Sequence, residues 1–216
     1  YGGIIVVSVT AVAINITKQL PYTQNVGDGI RHAAFQAVSF LTTTGFTSIP
    51  ASSSLDSLPL LTKGILFVLM FIGGCAGSTA GGLKVSRIAL LGCAVRKELR
   101  RVLSPRNQSV VKFEGKVVSD ETLRSVTSYF ALYMFIIAVA FIVLSFDKAA
   151  NLSVEANITA AVSCVNNIGP AYGVVASGYY MYNWASKLVL TVAMVLGRLE
   201  IYPLLLAVSP FTWMKR

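Results

Sequence analysis

Along this chain, apolar runs long enough to cross a bilayer alternate with apolar runs too short to do so. That alternation limits the fold more than any single motif. A span needs about 20 apolar residues at ~1.5 Å of rise each. Four stretches approach or exceed that length: Gly2 to Ile16, Leu58 to Leu91, Ser125 to Phe146, and Ala185 to Val208. The first is short by a turn, as expected if part of it has been cut away, and the second is too long for one simple span. Residues 29–41 and 154–165 are also apolar but rise only ~18–20 Å as helices, which suits a re-entrant half-helix. Of 216 residues, 55% are hydrophobic and 12% charged, about half the charged fraction of a soluble domain. The expected fold class is an all-α integral membrane protein.

The basic residues set the orientation. There are 18 Lys and Arg against 9 Asp and Glu, a net charge of +9. In a soluble protein that excess would raise nucleic-acid binding. Here ten Lys and Arg fall between Lys84 and Arg124 with four acids, and Lys215 and Arg216 end the sequence. The positive-inside rule places 84–124 and the C-terminus in the cytoplasm and both half-helices outside, so no nucleic-acid partner is implied. Cys75, Cys93 and Cys164 lie in apolar segments without paired spacing, which indicates neither a disulfide framework nor a zinc site. His32, the single histidine, reads as an interfacial residue without a role. No carboxylate pair, Ser/His pair or metal-ligand cluster shares a common depth. An enzyme is therefore the least favoured class, and no cofactor is expected.

Sliding the sequence on itself by 124 residues aligns two halves without a gap. Ala37-Val38-Ser39 falls on Ala161-Val162-Ser163, Gly45 on Gly169, Lys63 on Lys187, Leu66 on Leu190, Val68 on Val192, Met70 on Met194 and Gly73 on Gly197. The repeating unit is span, half-helix, extended segment with glycine, span. Both copies share one topology, so the repeat is parallel. Units of this kind ring an ion path in fours; two are here, so two are expected to be missing.

Three segments carry candidate chemistry. After the half-helices come Thr42-Thr43-Thr44-Gly45-Phe46-Thr47-Ser48 and Asn166-Asn167-Ile168-Gly169-Pro170-Ala171-Tyr172-Gly173. Irregular backbone at membrane depth survives only inside protein or lining a water-filled cavity. The reading is a carbonyl-lined cation filter at 42–46 and 166–170, with Thr43, Thr44, Gly45, Asn167, Ile168 and Gly169 at the ion. Ordinary extracellular turns are the alternative. Residues 73–82 (GGCAGSTAGG) interrupt the long apolar run, and half of them are glycine. Gly73, Gly77 and Gly81 have G-x-x-x-G helix-packing spacing. A phosphate loop is excluded because Lys84 neither follows a glycine nor precedes Ser or Thr. The favoured reading is a broken helix whose loop crosses the pore beneath the filter, since this composition makes a poor helix. Arg198 falls near the middle of the last span, where a charge is a functional candidate. It aligns with Gly74, so if the repeats ring one axis it faces the cavity that the loop crosses. A static ion pair with Glu200 of another subunit, or snorkelling, is the alternative.

The stretch FQAVSFLTTTGF (35–46), the loop GGCAGSTAGGLK, the NNIGP segment, and Gly197-Arg198-Leu199-Glu200 with the FTWMKR ending together resemble the Trk/Ktr/HKT superfamily, in particular its TrkH-type bacterial potassium uptake proteins. The resemblance covers nearly the whole chain and matches the last two of that family's four pore repeats. It implies repeat three at 1–92, a basic cytoplasmic loop at 93–124, and repeat four at 125–216. Gly45 and Gly169 would be the filter glycines. Gly73, Gly74, Gly77, Ser78, Thr79, Gly81 and Gly82 would form the intramembrane gate, with Arg198 touching it. The implied activity is potassium uptake by symport or down the potential across the bacterial inner membrane, with potassium as substrate and no cofactor. The implied partners are the missing N-terminal half, a second copy in a homodimer, a cytoplasmic nucleotide-binding ring of the TrkA type, and membrane lipid. This chain departs from the pattern at Ala80, where glycine is frequent, and at Ala171-Tyr172, where Gly-Leu is expected. Two rival functions stay open: a complete two-repeat channel that dimerises, and a non-transporting scaffold whose basic loop docks a cytoplasmic protein.

Overall fold

The structure is a computed structural model that describes residues 1–19, 25–48, 55–75, 77, 78, 80–104, 112, 113, 115–147 and 152–198. Seven helices account for most of it: α1 (Gly2–Gln19), α2 (Val26–Leu41), α3 (Leu60–Met70), α4 (Val85–Leu103), α5 (Asp120–Ser145), α6 (Val154–Val165) and α7 (Trp184–Arg198). A two-residue antiparallel pair, β1 (Lys112–Phe113) with β2 (Lys116–Val117), joins α4 to α5. Helices α1–α2–α3 and α5–α6–α7 form two units of the same order, long helix, short helix, extended segment, helix.

Local chemistry explains the ends. Ser119 caps α5 by accepting the Thr122 N–H, with Asp120 and Glu121 in the first turn where the helix dipole favours acids. Ser153 does the same for α6 by accepting from Ala156, with Glu155 next. At 26 residues, α5 is about 39 Å long and apolar enough to cross a membrane. The short α6 is buried nearly all round, from Ala156 to Val165 apart from Ile158. One apolar cluster joins the units through Phe40 and Leu41 of α2, Leu66 and Met70 of α3, Tyr129 and Tyr133 of α5, and Val162 and Val165 of α6. Outward faces are apolar too: Val6, Val7, Phe135, Val139, Val192 and Val195 are exposed.

Several boundaries differ from the sequence expectation. The first half-helix starts at Val26 rather than 29, because its first turn is polar and carries Asp28. The run 58–91 is split: α3 stops at Met70 and α4 begins at Val85. The segment 93–124, expected as a loop, is helical up to Leu103 and resumes helix at Asp120. Ala, Leu, Arg, Lys and Glu dominate 94–103 and are strong helix formers. No residue of α4 is fully buried; Lys97 is tied to Asp120 of α5, and Arg87 lies 4.1 Å from the Tyr129 ring centroid. Helix α7 starts at Trp184 as its apolar pattern requires, and the remainder of that expected span, 199–208, lies outside the described residues.

Candidate functional site

Both half-helices end in the same backbone motif, 124 residues apart. Thr43 has φ 56° and Asn167 φ 54°; Gly45 has φ 79° and Gly169 φ 111°. The N–H of Thr44 donates to the Ser39 carbonyl at 2.9 Å, and that of Ile168 to Ser163 at 3.0 Å. Thr43 donates to Phe40, and Asn167 to Cys164. This is the Schellman arrangement, in which a left-handed residue closes the helix. Glycine normally fills that position. Thr43 holds it at a steric cost of about 1–2 kcal/mol, whereas asparagine tolerates it well.

Side chains on each half-helix strap the outgoing segment down. Ser39 donates to the Phe46 carbonyl at 2.6 Å, Gln36 to Thr47 Oγ1 at 2.7 Å, and His32 Nδ1 lies 2.9 Å from Ser48 Oγ. In the second unit Ser163 Oγ accepts from Gly169 at 3.0 Å, and Thr159 Oγ1 from Tyr172 at 3.0 Å. His32 therefore pairs with the strap, although the sequence assigned it no role. The sequence assigns none to Gln36, Ser39, Thr159 and Ser163 either. Their signal was polar residues at helical spacing (32, 36, 39 and 159, 163) inside apolar half-helices.

The Gly-rich segment is a loop with a pinched neck. Gly73 donates to the Leu83 carbonyl at 2.7 Å, Val85 to Gly74 at 3.2 Å, and Ile72 bridges Leu83 in parallel. A continuous G-x-x-x-G packing helix is thereby excluded. Gly77 and Ser78 are exposed, Gly73, Gly74, Gly81 and Gly82 are buried, and Thr79 lies outside the described residues. The Gly81 N–H donates to Thr43 Oγ1 at 3.3 Å, and a Cβ at Gly81 would overlap the Asn166 carbonyl. A Cβ at Gly82 would overlap Asn166 Oδ1. The loop therefore touches both turns.

The turn at 165–169 is held on every side. Asn166 Oδ1 accepts from Tyr133 at 2.8 Å, and Asn167 Nδ2 donates to the Met194 carbonyl at 2.9 Å. A Cβ at Gly197 would overlap the Val165 carbonyl, and one at Gly45 the Ile168 carbonyl. The Gly169 carbonyl accepts from the Tyr179 hydroxyl at 2.6 Å. Arg198 follows Gly197 directly, is exposed, and makes no ion pair among the described residues; Glu200, its alternative partner, is not among them.

A polar clasp that the sequence did not signal joins the two units. Lys63 Nζ lies 3.1 Å from Asp56 and 3.7 Å from Glu155, and 5.8 Å from the Tyr172 ring centroid. Asp56 also accepts the Gly173 N–H at 2.9 Å, and the Tyr172 hydroxyl donates to the Lys63 carbonyl at 2.9 Å. At the equivalent place in the second unit, Lys187 donates to the Tyr180 carbonyl at 3.1 Å.

Two matching capped turns at the ends of short helices, a split helix whose loop meets both, and apolar outer faces define an α-helical membrane protein. A family model of TrkH-type cation transport proteins matches residues 3–214. The chain is 36% identical over 184 residues to the Trk system potassium uptake protein TrkH of Escherichia coli (strain K12), covering 85% of this chain and 37% of that protein. Against the protein of the same name from Halomonas elongata it is 34% identical over 207 residues, covering 96% and 41%. It superposes on the crystal structure of the potassium transporter TrkH from Vibrio parahaemolyticus with a TM-score of 0.84 at 34% identity, covering 98% of this chain and 43% of that one. The chain belongs to the TrkH family of cation transport proteins, and it spans 37% to 43% of the length of these relatives.

Proposed function

We propose that this chain forms half of a potassium pore in the bacterial inner membrane. Carbonyl oxygens of Thr43, Thr44, Gly45, Asn167 and Ile168 replace the water shell of the ion, as carbonyl filters do. Gly169, expected at the ion as well, has its carbonyl engaged by the Tyr179 hydroxyl and supplies instead the backbone twist that brings its turn to the axis. The half-helices direct their negative C-terminal ends at the ion cavity. Beneath the filter the 73–82 loop occludes the path; Arg198, exposed and bonded to no described residue of that loop, would take hold of loop carbonyls in the complete pore and repel cations until the loop moves. Potassium is the substrate, driven by the membrane potential or by symport, and the protein needs no cofactor. The pore is completed by an N-terminal half with two further units. A second copy forms the homodimer. The basic end of α4 and the β1–β2 hairpin face the cytoplasm with the C-terminus, placed to meet a nucleotide-binding ring of the TrkA type.

The observation that carries this reading is the repetition of one capped turn at a 124-residue offset, left-handed at Thr43 and Asn167 and again at Gly45 and Gly169. Such a motif, recurring at the ends of two half-helices that also touch one loop, fits a ring of filter segments better than surface turns. The test is rubidium uptake by the chain joined to its N-terminal half, in a bacterium lacking its own potassium uptake systems. Uptake and growth on limiting potassium are expected. A membrane-inserted protein that moves no rubidium would favour the scaffold role instead.

A further inference from the structure

We infer that Tyr133 is a positioning residue for ion selectivity, acting through Asn166 on the second filter turn. The inference rests on the filter reading above. Tyr133 lies in the middle of α5 and is 1% exposed, and its hydroxyl donates to Asn166 Oδ1 at 2.8 Å. Asn166 is 0% exposed and is engaged from three sides. Its Nδ2 donates to the Val162 carbonyl at 2.9 Å, its backbone N–H to the same carbonyl at 3.0 Å, and its own carbonyl and Oδ1 lie against Gly81 and Gly82. One side chain thus joins the long outer helix, the half-helix and the Gly-rich loop immediately before Asn167.

The first unit lacks this pin. Thr42 aligns with Asn166 and likewise donates to the carbonyl four residues back, Val38, at 2.7 Å. Val9 aligns with Tyr133 and has no hydroxyl. The two turns share a backbone, yet among the described residues only the second has a side-chain hydrogen bond from its turn to its outer span. Carbonyls discriminate between cations only if they hold their spacing around the ion. The pin ties the turn to α5, a side that the Asn167–Met194 and Tyr179–Gly169 bonds do not reach. Removing the hydroxyl leaves Asn166 Oδ1 buried without a partner, which is costly, and frees the turn to follow the loop.

The test measures potassium-over-sodium permeability ratios in proteoliposomes holding the complete protein. Tyr133→Phe keeps the ring and removes one oxygen. It is expected to lower the ratio about tenfold, the factor that one buried hydrogen bond carries. Tyr129→Phe, removing the other buried hydroxyl of α5, is expected to leave the ratio unchanged. In an Asn166→Thr background, which copies the first unit, Tyr133→Phe is expected to add nothing, since the pair acts as one unit. A selective wild type whose ratio survives Tyr133→Phe overturns this role alone, as does full additivity with Asn166→Thr. A wild type that does not distinguish the two ions overturns the filter reading with it.

Discussion

Gly45 lies against the carbonyl oxygen of Ile168 so closely that a single added carbon would overlap it. One residue belongs to the first re-entrant turn and the other to the second, so the two turns meet backbone to backbone with no side chain between them. Gly45 also has φ 79°, a conformation that L-residues with a Cβ adopt at a cost of about 1–2 kcal/mol. Two independent constraints, space and dihedral, therefore fix glycine at this position.

Glycines on the inner helices divide by what they touch. Gly197 of α7 packs against the Val165 carbonyl, whereas Gly64 of α3 has open space where a Cβ would stand. Gly197→Ala is expected to push α7 off the end of α6 and destabilise the protein by about 1–3 kcal/mol, as overpacking does. Gly64→Ala is expected to be neutral or stabilising by up to about 1 kcal/mol through helix propensity. Thermal unfolding in detergent checks both; equal shifts would contradict the packing assigned to Gly197.

The outer clasp gives a stability prediction across the two units. Asp56 serves Lys63 and the Gly173 N–H together, and the Lys63 side chain is 15% exposed. Asp56→Ala is expected to cost about 1–2 kcal/mol, from one hydrogen bond plus a partly screened ion pair. Part of the loss comes from Coulomb attraction, so raising salt should narrow the gap to wild type. Lys187→Met, which removes a single hydrogen bond to the Tyr180 carbonyl, is expected to cost about half as much or less. Unfolding curves at low and high ionic strength measure both, and a salt-independent gap would argue against Lys63 as the shared partner.

Arg198 stands one residue beyond the Gly197–Val165 contact and makes no ion pair among the described residues. If it holds the 73–82 loop across the path, Arg198→Ala is expected to raise rubidium flux by about tenfold or more, because one charge-assisted hydrogen bond carries about 1.5–3 kcal/mol. Arg198→Lys, which keeps the charge but not the planar fork, should lie between. Unchanged flux at equal expression would remove Arg198 from the gate.

Much of this architecture was legible in the residues because membrane-spanning helices are written in length and hydropathy. The half-helix at 154–165 has apolar residues bounded by Ser153 and Asn166, a cap and a stop that the sequence displays. Broken helicity at 73–82 followed from glycine content alone. What could not be read was lateral. Nothing local indicates that Tyr133 reaches Asn166, or that Asp56 reaches Gly173, since these bonds join residues 33 and 117 positions apart. The helical continuation of α4 to Leu103 is masked by its basic residues, whose topological signal marks a cytoplasmic segment while their propensity favours helix. His32, Gln36 and Ser39 were visible as a polar stripe, but only a segment folded back on the half-helix gives that stripe partners.

The most direct test of the central claim compares Gly45→Ser and Gly169→Ser in the complete protein, measuring potassium-over-sodium permeability. Gly45→Ser meets both the Ile168 carbonyl and an unfavourable φ, while Gly169→Ser meets the unfavourable φ in open space. Both are expected to lower the ratio, Gly45→Ser by tenfold or more, on the basis of about 1–2 kcal/mol of backbone strain plus the overlap, and Gly169→Ser by less. Two variants that reach the membrane, conduct, and keep the wild-type ratio would contradict the assignment of these turns as the filter.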